Sequence, residues 1–402
     1  MNRVQRLSVA AAMALSSAAF AEAPAGDSSI AQAVAQASAK SHYLAESGGS
    51  AGVDDKGFFI KQGDFSLRPG AQFQFRNVTN WRDGVKNDDA NDIQNGFEVR
   101  RMKIWLAGSA FVPELSYYLR IASSRKDGAV SLEEAYADYK LSDQISLRMG
   151  QFKEPVHHEE MVSSTSQLAV DRSLLNELLG GGVTDYVQGV ALMMHFDSMK
   201  AYLGFTDGAG NLNTNFEDNG VNFGLFGRLE FKAMGDWKDY RDFSTLNLKN
   251  DLLVIGGGLD FTQGDNFNAL LGTVDAQFKT GAMSLYGAML GAWTDPRNVG
   301  NDDSRFDWGL LGQVGYLVSS QVEVFARYDV TLLDEDFVTG EDTLHEMTVG
   351  LNYFLTPKAG HKAKFSIDAT YLPNGGPSET GIGILSSEDA QFIIRGQFQL
   401  VI

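Results

Sequence analysis

The feature that most constrains the fold of this chain is an alternation of apolar and polar residues that recurs from about residue 70 to the C-terminus. In GAQFQFRNV, Phe73 and Phe75 flank the polar Gln74. Most of the odd-numbered residues from Val221 to Phe231 are also apolar. Successive side chains of a β-strand point to opposite faces, so each segment has one apolar face and one polar face. The pattern therefore predicts an all-β protein.

Sixteen segments of this kind can be counted, most of them about 9 to 12 residues long. Strands of this length cross a bilayer core when tilted, and single-chain bacterial barrels have an even number of antiparallel strands. The predicted strands lie near residues 70–81, 97–110, 114–123, 131–141, 145–153, 187–196, 200–206, 221–231, 252–261, 268–279, 282–293, 306–316, 321–330, 345–355, 362–371 and 391–402.

The connections between these segments alternate in length. Those after odd-numbered strands are mostly long, such as 81–96 and 154–186, whereas those after even-numbered strands are mostly short, such as 142–144. Outer-membrane barrels have long external loops at one end and short periplasmic turns at the other. The sequence thus predicts a sixteen-stranded transmembrane antiparallel β-barrel. Residues 232–251 break the rule, because a long connection stands where a short turn is expected.

The N-terminus predicts export. Residues 1–21 contain Arg3 and Arg6, then an apolar segment and the small-residue pattern Ala19-Phe20-Ala21, which is typical of a cleaved signal peptide. Residues 22–56 are rich in Ala, Ser, Gly and Gln and are interpreted as a periplasmic lead-in, partly disordered or forming a short helix. Residues 57–402 form the predicted barrel domain, located in the bacterial outer membrane with membrane lipid around it.

The composition excludes several classes of protein. A formal net charge of −18 argues against nucleic acid as a partner, because phosphate binding needs a basic face. The absence of cysteine excludes disulfides, thiolate metal sites and cysteine nucleophiles. After the N-terminus, no apolar run is long enough to form a spanning helix.

Several segments resemble the phosphate-selective porin O and P family, namely RRMKIWLAG, AYADYK and RMGQFKEP, which follow one another in the order of the family. The similarity covers most of residues 57–402, mainly by pattern in the second half. It implies an outer-membrane porin, usually a homotrimer, whose third external loop folds inward and narrows the pore. It also implies that lumenal arginines and lysines bind phosphate or related anions. Two features depart from the family: a lumen with both signs of charge, and Ile402 where such barrels usually end in an aromatic residue.

Pointing the polar face inward gives a lumen of nearly balanced charge, with eleven basic and ten acidic side chains. Rings of Arg or Lys select anions, whereas salt bridges between lumenal charges would instead stiffen the barrel, and the sequence leaves both readings open. The candidate pore-lining residues that guide anions are Arg76, Arg101, Lys103, Arg120, Arg148, Arg228, Arg327 and Arg395.

The stretch from Glu154 to Tyr186 differs from the rest, because it carries the sequence HHEE and a helix-like segment with Asp171 as the predicted N-cap. The alternative interpretation of this stretch is an enzyme active site or a metal site. However, HHEE is not the metalloprotease motif H-E-x-x-H, and no G-x-S-x-G accompanies the serines near His158. The chain is thus predicted to be no enzyme and to need no metal or cofactor. The candidate constriction residues of this third loop are Lys153, His157, Glu159, Glu160 and Arg172.

The predicted function is passive diffusion of small hydrophilic solutes, with a preference for anions such as phosphate implied by the family resemblance. A channel without selectivity, or one that favours cations through its acidic loops, is the alternative within the same class. A structural or adhesive surface barrel is an alternative from another class.

Overall fold

The computed structural model describes residues 48–402 except positions 55, 84–92, 181–184, 218–219, 297–303, 338–340, 378–380 and 388. The predicted signal peptide and most of the lead-in lie outside the described residues. The strands are β1 (Gly49–Asp54), β2 (Gly57–Gln62), β3 (Phe65–Arg82), β4 (Ile93–Ala110), β5 (Val112–Ser123), β6 (Val130–Lys140), β7 (Ile145–Lys153), β8 (Tyr186–His195), β9 (Met199–Thr206), β10 (Val221–Met234), β11 (Leu252–Gly264), β12 (Phe267–Thr280), β13 (Met283–Pro296), β14 (Arg305–Ser319), β15 (Val322–Leu332), β16 (Thr343–Phe354), β17 (Ala363–Leu372) and β18 (Gln391–Val401).

Strands β3 to β18 form a closed antiparallel barrel. Each strand pairs with the next along the chain, and β18 pairs back to β3 in a register that runs from Gln391 opposite Arg82 to Val401 opposite Gln72. At the seam, Ala71 and Ile402 exchange both backbone hydrogen bonds at 2.9 Å. Closure pairs each strand from β3 to β18 on both sides, and a bilayer requires such paired edges. The predicted sixteen-stranded barrel is confirmed.

The burial of side chains is inverted relative to a water-soluble barrel. On β10, Leu229 and Phe231 are 61% and 56% exposed on the outer face, whereas Arg228 and Glu230 are 2% and 1% exposed on the inner face. An apolar exterior with polar residues inside is the pattern of a lipid-embedded barrel. In the part of the chain that the structure describes, no helix is both long and apolar enough to cross a bilayer.

The described end of the lead-in is a strand rather than a helix. Strands β1 and β2 form a hairpin, and β2 continues the sheet onto the first residues of β3, with Ile60 opposite Leu67. Arg68 forms an ion pair with Asp54 at 2.7 Å, which attaches the hairpin to the barrel wall. The hairpin therefore spans the predicted boundary between residues 56 and 57.

The connections follow the predicted alternation with one difference. The external connection between β11 and β12 is reduced to residues 265–266, because both strands extend beyond their predicted ends. At the opposite end, which carries the C-terminus and is assigned to the periplasm, residues 235–251 join β10 to β11 and remain long, as predicted. Both this connection, called the inner segment below, and residues 154–185, called the inward loop, contribute fully buried side chains.

Candidate functional site: a charged channel beside the inward loop

The described part of the inward loop contains two short helical turns. The first, α1, spans His158–Met161, and the second is a π-helical turn at Asn176–Gly180. The Oγ of Ser173 accepts a hydrogen bond from the backbone N–H of Asn176 at 3.1 Å, so Ser173 caps the second turn. The prediction that Asp171 is the N-cap is wrong, because the carboxylate of Asp171 forms ion pairs with arginines of the barrel wall.

Lumenal side chains of β15 to β18 hold the backbone of the inward loop. The N–H of Leu174 donates to Glu346 at 2.6 Å, and the N–H of Val170 donates to Asp368 at 2.8 Å. Buried backbone N–H and C=O groups need partners, and the wall supplies several of them to this loop. Further contacts of this kind join Leu175 to Asp329, Lys364 to Gln167, Asn352 to Leu168, and Arg327 to Asp171 and Arg172.

Apolar packing fixes the same loop against β13, β14 and β15. Leu168, Leu175 and Leu179 are buried in a cluster whose wall members include Tyr286 and Phe325. Full burial of one such side chain stabilises by about 1.5–3 kcal/mol. The loop thus has its own hydrophobic core inside the barrel and fills the side of the lumen formed by the later strands.

Glycines on β11 let the loop approach the wall. A Cβ added to Gly258 would lie 2.8 Å from the carbonyl oxygen and 3.3 Å from the Cα of Val156. A Cβ at Gly256 would meet the guanidinium of Arg228. The start of the loop can therefore lie against β11 only because no side chain projects there.

The inner segment meets the inward loop within the barrel. The ring of Tyr240 stacks on the imidazole of His158, with centroids 3.9 Å apart and planes at 8°. Gln277 on β12 bridges the two segments, because its amide donates to the carbonyl of Asp242 at 2.6 Å while its Oε1 lies 2.8 Å from His158 Nε2. The inner segment is thus a packing partner of the inward loop.

The two histidines of the HHEE motif are buried and neutral. Among the described residues, neither ring nitrogen of His157 has a hydrogen-bond partner, and His158 forms a hydrogen bond only through Nε2. Burial, with the positive charge of Arg228 as the next contribution, lowers the pKa of His157 from 6.5 to about 4. Burial likewise lowers the pKa of His158 to about 4. Among the described residues, no three His, Asp or Glu side chains are grouped as metal ligands.

The two glutamates of the motif anchor the loop to itself and to β7. Glu159 accepts hydrogen bonds from the N–H and the Oγ of Ser173 at 2.9 and 2.6 Å. Glu160 pairs with Lys153 and, at 3.1 Å, with Arg172. Of the five predicted constriction residues, Lys153, Glu160 and Arg172 line the open cavity described next, whereas His157 and Glu159 are buried away from it.

A cavity of about 710 Å³ remains between the inward loop and the wall formed by β3 to β9. It extends from Arg125, at the external end, to Lys200, at the periplasmic end. Its described lining holds ten basic and five acidic side chains. These are Arg100, Arg101, Lys103, Arg120, Arg125, Arg148, Lys153, Arg172, Lys200 and Arg241, against Glu133, Glu134, Glu160, Glu177 and Asp185.

The eight predicted pore-lining cations divide into two groups. Arg101, Lys103, Arg120 and Arg148 line the cavity. The other four point into the barrel but are covered by the inward loop and bound in ion pairs, so they do not line the cavity as predicted. These are Arg76 with Glu98 and Asp171, Arg228 with Glu230 and Asp275, Arg327 with Glu346, and Arg395 with Asp368.

The alternation rule missed Arg100, a cavity residue, because β4 contains a bulge, and it missed Glu133 on β6 for the same reason. Arg101 is opposite Gln74 and Val99 is opposite Phe75, so Arg100 is the extra residue. The bulge turns two successive arginines toward the cavity. Val99 and Met102, both apolar and three residues apart, were the signal in the sequence that the parity changes here.

Three arginines converge on Asp171 of the inward loop. Arg100 and Arg101 contact one carboxylate oxygen at 3.1 and 3.2 Å, and Arg76 contacts the other. Burial alone would raise the pKa of Asp171, but the charges of the three arginines hold this pKa well below 3.8. The cluster retains an excess of positive charge beside the cavity.

A closed lipid-facing barrel around a charged internal cavity defines the class of outer-membrane channels of the porin type. The family model described as phosphate-selective porin O and P matches residues 73–245. The resemblance noted in the sequence is thereby confirmed, and the match includes the strands and the loop that form the cavity.

Solved structures with the same fold include the anion-selective porin from Comamonas acidovorans, with a TM-score of 0.61 and 10% identity over 84% of this chain and 100% of that chain. The outer-membrane channel DcaP of Acinetobacter baumannii has a TM-score of 0.56 and 11% identity, covering 85% and 99%. OprB of Pseudomonas putida has a TM-score of 0.57 and 10% identity, covering 90% and 96%. At these identities the likeness establishes the fold.

A curated relative is an uncharacterized protein of Aquifex aeolicus (strain VF5), which is 24% identical over 268 residues. The match covers 60% of this chain and spans 62% of the length of that protein.

Proposed function

We propose that this protein is a passive outer-membrane channel that favours small anions, phosphate among them. The observation that carries the proposal is the charge of the open cavity, whose described lining has five more basic than acidic side chains. The whole lumen counted from the sequence is nearly neutral. The inward loop removes the later strands, with their paired charges, from contact with the solute.

The surplus of positive charge acts on solutes because the cavity is enclosed between the inward loop and the barrel wall, where the dielectric constant is lower than in bulk water. Clefts lined by one sign of charge concentrate ions of the opposite sign, and rings of Arg or Lys select anions in pores. Guanidinium groups also bind phosphate through parallel hydrogen bonds when several lie close together. Arg101 and Arg172 supply such groups where the inward loop faces β4.

The test is the reversal potential of the purified channel in a planar bilayer that separates two concentrations of KCl. We expect a potential that favours chloride, and a chloride current that falls as phosphate is added. A potential that favours potassium, without a phosphate effect, would refute the proposal. Lys103→Gln, in the cavity, should reduce the anion preference, whereas Lys61→Gln, on the exposed hairpin, should leave it unchanged.

We further propose that residues 1–21 are removed during export and that the mature chain is a homotrimer. The charged, apolar and small-residue order of the N-terminus and the family resemblance support these two points. Intact mass of the membrane-extracted protein tests the cleavage, and native mass in detergent tests the trimer. A retained N-terminus would contradict the first proposal, and a monomeric mass would contradict the second.

A further inference from the structure

The inner segment brings a basic side chain to the periplasmic end of the cavity. Arg241 ends a short 3₁₀ turn at Asp239–Arg241 and is exposed on the cavity lining, together with Lys200 and Arg148. Its position comes from a connection between strands rather than from the wall or the inward loop. The alternation of residues along the strands gives no information about such a side chain.

The residues on both sides of Arg241 are fixed inside the barrel. Tyr240 is 3% exposed and stacks on His158. Its hydroxyl oxygen accepts a hydrogen bond from the guanidinium of Arg228 at 3.1 Å. Asp242 accepts a hydrogen bond from Lys279 at 2.7 Å. The turn that carries Arg241 is therefore built into the barrel, and its side chain is held at the inner mouth.

Arg241 also differs from the other basic residues of the cavity in its partners. Arg120 is bound by Glu133 and Glu134, at 2.6 and 2.7 Å. Lys153 is paired with two acids of the inward loop. In the described chain, no acidic side chain lies within ion-pair distance of Arg241, and its guanidinium makes no hydrogen bond with another side chain.

We propose that Arg241 determines specificity at the periplasmic exit of the channel, where it forms an inner anion site with Lys200. A cation already neutralised by a carboxylate attracts a passing anion weakly, whereas an unpaired one exerts its full charge. The inference rests on the proposed anion preference and adds a binding step that the inner segment supplies. The ligand is a small inorganic anion, chloride or phosphate, held by charge and guanidinium hydrogen bonds.

Because the chain contains no cysteine, a thiol reagent reacts only with a cysteine introduced by substitution. Arg241→Cys in the full-length channel removes the positive charge, and an anionic methanethiosulfonate then attaches a negative group to the new thiol as a disulfide, releasing methanesulfinate. Lys238→Cys is the matched control, because Lys238 is a basic residue of the same segment that is exposed away from the cavity. Mass spectrometry measures the extent of reaction at both positions, and the heat-dependent gel mobility checks that both barrels are folded.

Modification at position 241 is expected to lower the chloride conductance several-fold and to move the reversal potential toward cations. A cationic reagent should restore both properties, and the modified control should match the unmodified channel. Equal currents before and after modification at 241, or a thiol there that fails to react when that at 238 reacts, would overturn the proposal. If the wild-type channel itself favours cations, the proposed function fails. If it favours anions and position 241 has no effect, only this inference fails.

Discussion

The guanidinium of Arg228 binds both carboxylate oxygens of Asp275, with Nη1–Oδ2 at 2.8 Å and Nη2–Oδ1 at 2.9 Å. The same guanidinium donates to the carbonyl of Val156 at 2.8 Å and to Glu230 at 2.9 Å. One lumenal side chain therefore joins two strands to the start of the inward loop. Its role in the structure is to hold the loop rather than to contact solute.

Replacing Arg228 by Met should destabilise the protein strongly. Removing one partner of a buried ion pair costs about 3–5 kcal/mol, because the remaining charge has no compensation. Here the change leaves Asp275 and Glu230 buried without their arginine. Thermal unfolding in detergent measures the effect.

Lys140→Ala is the control for this change, because its pair with Asp143 is exposed at a periplasmic turn. The control should unfold at the temperature of the wild type. Equal unfolding temperatures for Arg228→Met and the wild type would contradict the anchoring role.

Gly258→Ala should loosen the attachment of the loop to β11. The added methyl group would lie 2.8 Å from the carbonyl of Val156, so the loop must move. Overpacking of this kind costs about 1–3 kcal/mol. We expect a lower unfolding temperature and noisier single-channel currents. Gly312→Ala is the matched control, since its methyl group would enter open space on the outer face of β14.

The barrel could be predicted from the sequence because alternation is a local property. Side chains two residues apart share a face, so Leu229 and Phe231 identify the outer surface without knowledge of the rest of the fold. Closure follows from the same periodicity, since an unpaired strand edge in lipid is too costly. Bulges such as those at Arg100 on β4 and Glu133 on β6 interrupted the inference within the strands.

The division of the lumen into a side filled by the inward loop and an open cavity could not be predicted, because it depends on contacts between distant parts of the chain. Arg327 and Arg120 occupy the same kind of position, a lumenal face of a strand. The first is covered by the inward loop, whereas the second lines the cavity. Which wall the loop packs against is decided by its leucines, by glycines on the facing strands and by the inner segment.

Acidification should release the inward loop through His157 and His158. Their folded pKa is about 4 against 6.5 for a free histidine, so the unfolded loop binds more protons between these values. The stability of the packed loop is complete above pH 6.5 and falls as the pH drops toward 4, by up to about 3 kcal/mol for each histidine. The charged groups that face the two rings are Arg228, Asp275, Glu160 and Glu230.

Single-channel recordings from pH 7 to pH 4 measure this release as larger or noisier openings. Replacing both buried histidines by Gln should flatten the dependence. His345→Gln is the control and should retain it, because His345 lies on the outer face of β16 beside Tyr328. A wild-type current that does not change over this range would contradict the prediction.

The ionisation of Glu154 should give the stability of the loop the opposite pH dependence, with stability falling as the pH rises. The carboxyl group of Glu154 is buried beside that of Asp260, and burial together with the negative charge of Asp260 raises the pKa of Glu154 well above 4.5. The folded loop therefore binds this proton more tightly than the unfolded loop. The resulting stability is complete below pH 4.5 and declines as the pH rises through the folded pKa.

Glu154→Gln removes this ionisation, so it should raise the unfolding temperature at pH 8 more than at pH 5. The exposed Glu217→Gln serves as the control and should change neither value. An equal effect of Glu154→Gln at both pH values would exclude ionisation of Glu154 as the cause.

Excising residues 159–180 and closing the gap with a Gly-Ser linker should widen the channel and abolish its selectivity. The excision removes the cover from the later strands, so the lumen regains the nearly balanced charge counted along the sequence. We expect a several-fold higher conductance and a reversal potential close to zero in a KCl gradient. Circular dichroism checks that the barrel still forms. Removal of residues 49–62 is the control, because this hairpin lies outside the closed barrel and should leave both values unchanged. Unchanged conductance after excision of the loop would show that it does not form the constriction.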